Sequence, residues 1–202
     1  FCRRVMFFGR LKIFCPHTDK EFQDRRPKIP YTAVDDSRLY VIDRLAQQCV
    51  HLNGEFWELG VYKGGSAKML VKSIGTHNKT FRLFDTFEGM PKVSDKDLHH
   101  EGDFKDTSLE QVKDLVNYDM AIYYKGFVPD TFKGICDINK PVICFAHIDF
   151  DIYQSTKDAI EFIYPLMTPK GIIIFDDYGY NSCPGVKLAV DEFFKDKWEK
   201  PL

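Results

Sequence analysis

The chain has 202 residues, 44% hydrophobic and 29% charged, and 28 basic against 30 acidic side chains give a net charge of −2. That composition suits one globular domain with a sizeable core. It excludes a general attraction to nucleic acid, because no basic stripe interleaved with aromatics runs through the body of the chain, and no apolar stretch approaches the ~20 residues that cross a bilayer.

Residues 1–34 form an arm punctuated by Pro16, Pro27 and Pro30. Its start, Phe1 to Phe14, is basic and aromatic and lacks a signal-peptide cleavage pattern. Such an arm can lie on a membrane surface, but it is expected instead to pack on its own domain or on a second subunit, the latter as a homodimer. The chain does not begin with Met and stops soon after Trp198, which leads us to expect a fragment short of a last strand. Cys2, Cys15, Cys49, Cys136, Cys144 and Cys183 lie far apart with no CxxC pair, the pattern of a reduced, cytoplasmic setting.

From residue 35 to 202 helix and strand alternate, the signature of a single α/β domain with a mostly parallel sheet covered on both faces. Asp35 or Asp36 caps a helix carrying Val41, Ile42, Leu45, Ala46, Cys49 and Val50. A first strand, 54–61, is followed by a helix from Gly65 to about Gly75, and a second strand covers 80–86. The polar stretch 88–106 is too long for a plain connector and reads as a lid or binding loop. Thr107 and Glu110 make a capping box for the next helix. Strands over 121–128 and 141–152, a helix from Ser155 with its own box at Asp158, a strand over 171–177 and a helix from Pro184 complete the order.

After the first strand comes Glu58-Leu59-Gly60-Val61-Tyr62-Lys63-Gly64-Gly65-Ser66. Its glycines allow a sharp turn and close approach to a ligand, with helix amides exposed beyond them. The spacing is G-x-x-x-G-G, unlike the G-x-G-x-x-G of a dinucleotide site. An acid before the first glycine suits an ammonium group and repels a pyrophosphate, which favours the aminoacyl end of S-adenosylmethionine (SAM). Asp85 ends the second strand where nucleotide folds place an acid on the ribose hydroxyls. Asp130, after the third strand, is a further candidate for the adenine.

Two apolar runs end in carboxylates: Ala146 to Tyr153, containing Asp149 and Asp151, and Gly171 to Tyr178, containing Asp176 and Asp177. A parallel strand delivers such residues to its C-terminal edge, where α/β folds bind ligands. Desolvating several carboxylates side by side is costly without a cation, so Asp149, Asp176 and Asp177 suggest a divalent metal site.

Together these segments resemble the macrocin O-methyltransferase (TylF-type) family of SAM-dependent enzymes. The matching stretches are YTAVDDSRL (31–39), ELGVYKGGSA (58–67), LFDTFEGMP (83–91), YYKGFVPDTF (123–132), HIDFDIYQSTKDAIEFIYP (147–165), GIIIFDDYG (171–179) and CPGVKLAVDEF (183–193). The resemblance implies a Rossmann-like methyltransferase fold, SAM as donor, Mg2+ or a similar ion, and a hydroxylated sugar or glycoside as acceptor. It carries metal ligation to Asp149, Asp176 and Asp177. The loop around the methionine part of SAM falls on Glu58, Gly60, Gly64 and Ser66, and ribose binding on Asp85. Tyr31 falls in a lid segment, and the 92–106 loop, with His99 and His100, is where acceptor specificity is expected to differ.

An alcohol with a pKa of about 15 is a poor nucleophile at neutral pH, and a bound cation lowers a coordinated oxygen by several units. Asp149 is therefore expected to accept the acceptor's proton, with His147 as a second candidate base and Asp151 orienting the following turn. A non-catalytic SAM-binding scaffold and a metal-dependent hydrolase are the alternatives; the intact acids weigh against the first and the Glu58 loop against the second.

Overall fold

The computed structural model of the chain describes residues 3–7, 10–14, 19–26, 32–137 and 140–201. At its centre, β3 (Glu55–Leu59) lies between β4 (Phe81–Asp85) and β6 (Ile143–Ile148); β5 (Ala121–Lys125) and β7 (Met167–Phe175) flank them. All four strand pairings are parallel, in the order β5-β4-β3-β6-β7. Strand order reverses between β3 and β6, so the chain leaves their C-terminal ends toward opposite sides and opens a crevice there.

The central strands are apolar because both faces are covered. Every residue of β6 is buried, as are Phe56, Trp57, Glu58 and Leu59 of β3. Alternation along the pleat divides them between two cores. Phe56 and Phe145 pack with α2 (Asp36–Cys49), α3 (Gly65–Ile74) and α4 (Leu109–Val116). Trp57, Leu59, Ala146 and Ile148 pack with α5 (Tyr153–Ile163) and α6 (Pro184–Phe194). Burying one such large apolar side chain contributes roughly 1.5–3 kcal/mol.

The arm carries an antiparallel pair, β1 (Arg3–Phe7) and β2 (Arg10–Phe14), and a short helix, α1 (Lys20–Arg25). Asp19 caps α1 by accepting the Phe22 amide at 2.9 Å. Phe22 is fully buried with its ring edge-on to Tyr40, 5.2 Å between centroids. Arg25 places Nε and Nη2 each 2.9 Å from the carboxylate of the fully buried Asp43, which Gln47 and Ser73 also satisfy. Helix α1 packs on its own domain.

Several local expectations change. Val41 is 48% exposed, and Leu39 takes the inward position on α2. Ser108, not Thr107, caps α4, because the Thr107 hydroxyl instead donates to the Tyr62 carbonyl. The Ser155–Asp158 box does not form, since α5 starts two residues earlier, at Tyr153. The Tyr153 amide donates to Oδ1 of Asp97 at 2.7 Å, so a residue of the 88–106 loop caps α5 from 56 positions away. Asp97 also holds its own turn, accepting from the amide and hydroxyl of Ser94. The loop is thereby fixed over the C-terminal edge of the sheet.

Candidate active site

The sheet ladder continues beyond the strands and sets the floor of the site. The Gly60 amide bonds the Phe84 carbonyl at 2.9 Å, that of Asp149 bonds Leu59 at 2.7 Å, and that of Asp176 bonds Ile148 at 3.0 Å. Asp149 and Asp176 thus stand at neighbouring strand tips. Gly60 has φ +87°, and a Cβ there would lie 1.8 Å from the Asp149 carbonyl oxygen. The chain can cross between the two tips only where no side chain exists.

A cavity of about 280 Å3 opens over this floor. Gly60, Ser66 and Asp85 line one part of it, with Phe127 and Val128 as an apolar wall; Asp149, Asp151, Asp176 and Asp177 line another. Asp85 is committed to the loop backbone. Its Oδ2 accepts the amides of Val61 and Tyr62 at 2.7 and 2.9 Å, and its Oδ1 that of Phe87 at 2.7 Å. It shapes the glycine loop while still facing the cavity.

The four aspartates gather as two overlapping groups. One is Asp149 with Asp151 and Asp177; the other is Asp149 with Asp176 and His147, with donor atoms of each group within 4.8 Å of one another. Asp176 already has counter-charges: Arg38 donates to its Oδ2, and His147 Nε2 lies 3.5 Å from its Oδ1. Burial raises its pKa, but the hydrogen bond and charge of His147 and the charge of Arg38 outweigh burial and hold it below the usual value. Asp149 goes the other way, well above the ordinary value, through burial and repulsion from Asp176. Burial and repulsion from Asp151 and Asp176 push Asp177 up to about 7.

Oδ2 of Asp177 is buried and has no hydrogen-bond partner. Such an orphaned oxygen, among carboxylates that repel one another, fits a hard divalent cation with oxygen ligands. The acids expected to share an ion therefore reach one cavity, but Asp176 is held by Arg38 and His147 while Asp151, assigned only to the turn, sits against Asp177.

His147 and Glu58 lie beneath the cavity. His147 is fully buried, with Nδ1 3.1 Å from Oε1 of Glu58, so both ring nitrogens face carboxylates. Burial lowers its pKa, yet the hydrogen bonds to Asp176 and Glu58 more than reverse this and raise it well above the ordinary value. It braces the two carboxylates and lies outside the cavity lining, with neither nitrogen free to act as a base. Glu58 Oε2 is buried and unpartnered. Gly64 supplies the left-handed turn into α3, outside the cavity lining. Asp130 does not approach the cavity; it pairs with Lys133 at 2.6 Å and is exposed. Tyr31 lies outside the described residues, while Thr32, Ala33 and Val34 line the cavity.

Arg38, Phe127 and Cys183 also line the cavity and were not singled out as site residues; His99, named with His100 in the loop expected to set acceptor specificity, lines it too. His99 faces Asp151, whereas His100 is solvated. Arg38, Phe127 and Cys183 fall in the stretches 31–39, 123–132 and 183–193 that carry the resemblance, which was the one sequence signal for them.

The family model for macrocin-O-methyltransferase (TylF) matches residues 13–201. The 8-demethyl-8-(2,3-dimethoxy-alpha-L-rhamnosyl)-tetracenomycin-C 4'-O-methyltransferase of Streptomyces olivaceus is 32% identical over 179 residues, 78% of this chain and 66% of that protein. The demethyldecarbamoylnovobiocin O-methyltransferase of Streptomyces niveus is 29% identical over 183 residues, 83% of this chain and 69% of that protein. The chain thus spans about two thirds of the length of these relatives. The solved O-methyltransferase NovP superposes with a TM-score of 0.70 at 26% identity, covering 84% of this chain and 75% of that one. The fold is the Rossmann-like one shared with these enzymes, and the chain belongs to the macrocin-O-methyltransferase (TylF) family.

Proposed function

We propose that this chain transfers the methyl group of SAM to a hydroxyl of a sugar or sugar-bearing natural product. The observation that carries the proposal is the cavity itself: one part is walled by the glycine loop after β3 and Phe127, and another by four carboxylates with too few counter-charges. The rhamnosyl group in the name of the Streptomyces olivaceus relative supports a deoxysugar acceptor.

Gly60, Ser66 and the Asp85-braced loop would hold the aminoacyl and ribose parts of SAM, and Glu58, beneath the cavity with Oε2 unpartnered, would attract the ammonium by its charge. Phe127 and Val128 would cover the adenine, in place of Asp130. Asp149, Asp177 and Asp176 would hold a divalent cation of the Mg2+ type. When bound, the cation supplies Lewis acidity at the acceptor, and SAM supplies a methyl group on a positively charged sulfur.

The chain's own task is to hold the acceptor oxygen in line with that methyl group and to take its proton. We assign the proton to Asp151 instead of Asp149. Asp149 belongs to both acid groups and is spent on the cation, whereas Asp151 faces the cavity and burial raises its proton affinity. As the acceptor oxygen takes the methyl group from the sulfonium, its proton would pass to the Asp151 carboxylate. Among the described residues no helix is long and apolar enough to cross a membrane. The free thiols of Cys49, Cys136, Cys144 and Cys183 fit a reducing, cytoplasmic setting.

Calorimetric titration with S-adenosylhomocysteine, followed by turnover on a panel of deoxysugar glycosides with and without EDTA, tests the proposal. Binding together with EDTA-sensitive transfer is expected. Absence of binding would overturn the donor assignment, and transfer undiminished by EDTA would remove the cation.

A further inference from the structure

Asp151 Oδ1, Cys183 Sγ and His99 Nε2 come together at the cavity wall from three separate elements: the turn after β6, the head of α6 and the 88–106 loop. Their separations are 3.5 Å from sulfur to oxygen, 3.6 Å from sulfur to nitrogen and 3.9 Å from nitrogen to oxygen. Bonds of about 2.3 Å to sulfur, 2.05 Å to nitrogen and 2.1 Å to oxygen, at tetrahedral angles, place such donors about 3.4–3.6 Å apart. The three atoms already stand close to three corners of a Zn2+ coordination tetrahedron.

A second observation points the same way. The other nitrogen of His99, Nδ1, faces Oδ2 of Asp103 at 3.4 Å. A carboxylate behind a histidine fixes the ring and leaves the far nitrogen to the ion, the arrangement found behind most metal-binding histidines. A thiol, an imidazole and one carboxylate form a softer donor set than the Asp149–Asp177 acids, and they suit Zn2+ or Co2+ better than Mg2+.

We infer that His99, Cys183 and Asp151 form a second cation site, selective for Zn2+-like ions, with its fourth position open to the cavity. On binding, Cys183 gives up its thiol proton to solvent and the ion fastens the 88–106 loop to the head of α6. The ion also occupies Asp151, so Zn2+ opposes proton removal at that residue. The site itself stands whether or not the chain transfers methyl groups; only this last consequence rests on the proposed function.

The test is titration of the metal-free protein with Co2+, followed by its thiolate-to-metal charge-transfer absorption, with Zn2+ as competitor. One equivalent should give the band, and Zn2+ should abolish it. Cys183→Ser should remove it, while Cys136→Ser, at an exposed cysteine remote from the cluster, should leave it. His99→Ala, on the loop and outside the core, should weaken binding at least tenfold if Cys183→Ser fails to fold. Asp103→Asn should weaken it by roughly 10- to 100-fold. Trypsin cleavage at the exposed Lys92 and Lys96 should slow with Zn2+ in the unmodified chain and not in His99→Ala. A missing band, or one that survives both Cys183→Ser and His99→Ala, overturns the site. S-adenosylhomocysteine affinity, measured on the same samples, reports separately on the proposed function.

Discussion

Arg38, in the first turn of α2, donates through Nη1 to Oδ2 of Asp176 just beyond β7, 138 positions along the chain. Its Nη2 donates to the Ala33 carbonyl at 3.0 Å, its Nε lies 3.4 Å from Asp35, and its guanidinium sits over the Tyr180 ring. The arginine thus links the segment over the cavity to the acids on its floor, and it has other partners if Asp176 is drawn away. In the absence of a divalent ion its charge adds to the hydrogen bond and charge of His147 in holding the pKa of Asp176 down.

Arg38→Met should therefore have opposite effects with and without cation. Without it, the variant leaves Asp176 less compensated and should lose about 2 kcal/mol, less than the roughly 3–5 kcal/mol of a fully buried pair because the arginine side chain is 24% exposed. With Mn2+ present the loss should be recovered, and Mn2+ should bind about tenfold tighter, because its competitor for Asp176 is gone. Chemical denaturation with and without Mn2+ measures the first effect and calorimetric titration the second. Equal or weaker Mn2+ binding would show that the arginine does not compete.

Asp177 makes stability depend on pH. Its folded value of about 7 lies above the ordinary 3.8, so the folded state favours the protonated acid. That contribution is fully present below the ordinary value and is lost as pH rises through about 7. Asp177→Asn should raise the melting temperature of the cation-free protein at pH 8 and change it little at pH 4. Melting curves across that range check the sign; stabilisation at pH 4 alone would contradict it.

Asp151→Asn should retain S-adenosylhomocysteine binding within a factor of about three and reduce transfer by roughly 10²–10⁴-fold, the usual effect of losing a positioned base. Single-turnover rates on an accepted glycoside give the answer. If Asp149→Asn loses transfer without weakening cation binding while Asp151→Asn keeps it, the proton goes to Asp149.

Two glycines with nearly the same backbone angle should respond differently. Gly60 has φ +87° and no space for a Cβ, whereas Gly102 has φ +86° and nothing within 4 Å of one. Gly102→Ala should cost only the left-handed conformation, about 1–2 kcal/mol. Gly60→Ala must also separate the strand tips at Asp149, and should yield insoluble protein or lose S-adenosylhomocysteine binding. Expression and melting of the pair decide this.

Asp97→Ala should cost about 1 kcal/mol through loss of the α5 cap. It should also speed hydrogen exchange at the Tyr153 amide and loosen the 88–106 loop, since one carboxylate serves both. Exchange measured by mass spectrometry separates this from a general loss of stability, which would raise exchange in β3 and β6 as well.

The strand and helix order was legible in the sequence because apolar periodicity is local, and the runs ending at Asp149 and Asp176 announced buried strands with acids at their tips. The Gly60 turn was visible for the same reason. The caps of α4 and α5 were misjudged where a nearby serine or threonine offered the local solution and a more distant or neighbouring group took it: Asp97 for α5, Ser108 for α4. His147 looked like a base from its place on an acidic strand. Its role as a strut follows from Glu58 and Asp176, which only strand register brings to its two nitrogens.

From residue 35 onward the sequence by itself determined the order of helices and strands, their parallel arrangement and the edge at which acids and glycines collect, because these follow from side-chain periodicity and backbone freedom over a few residues. In the arm it announced neither the antiparallel β1–β2 pair nor α1. Only the tertiary structure decided how the charges are shared: Arg38 and His147 on Asp176, Asp177 left without a partner, and His99 with Cys183 drawn to Asp151. Electrostatic compensation acts through space over a few ångströms, and positions 138 residues apart become neighbours only when the sheet has closed.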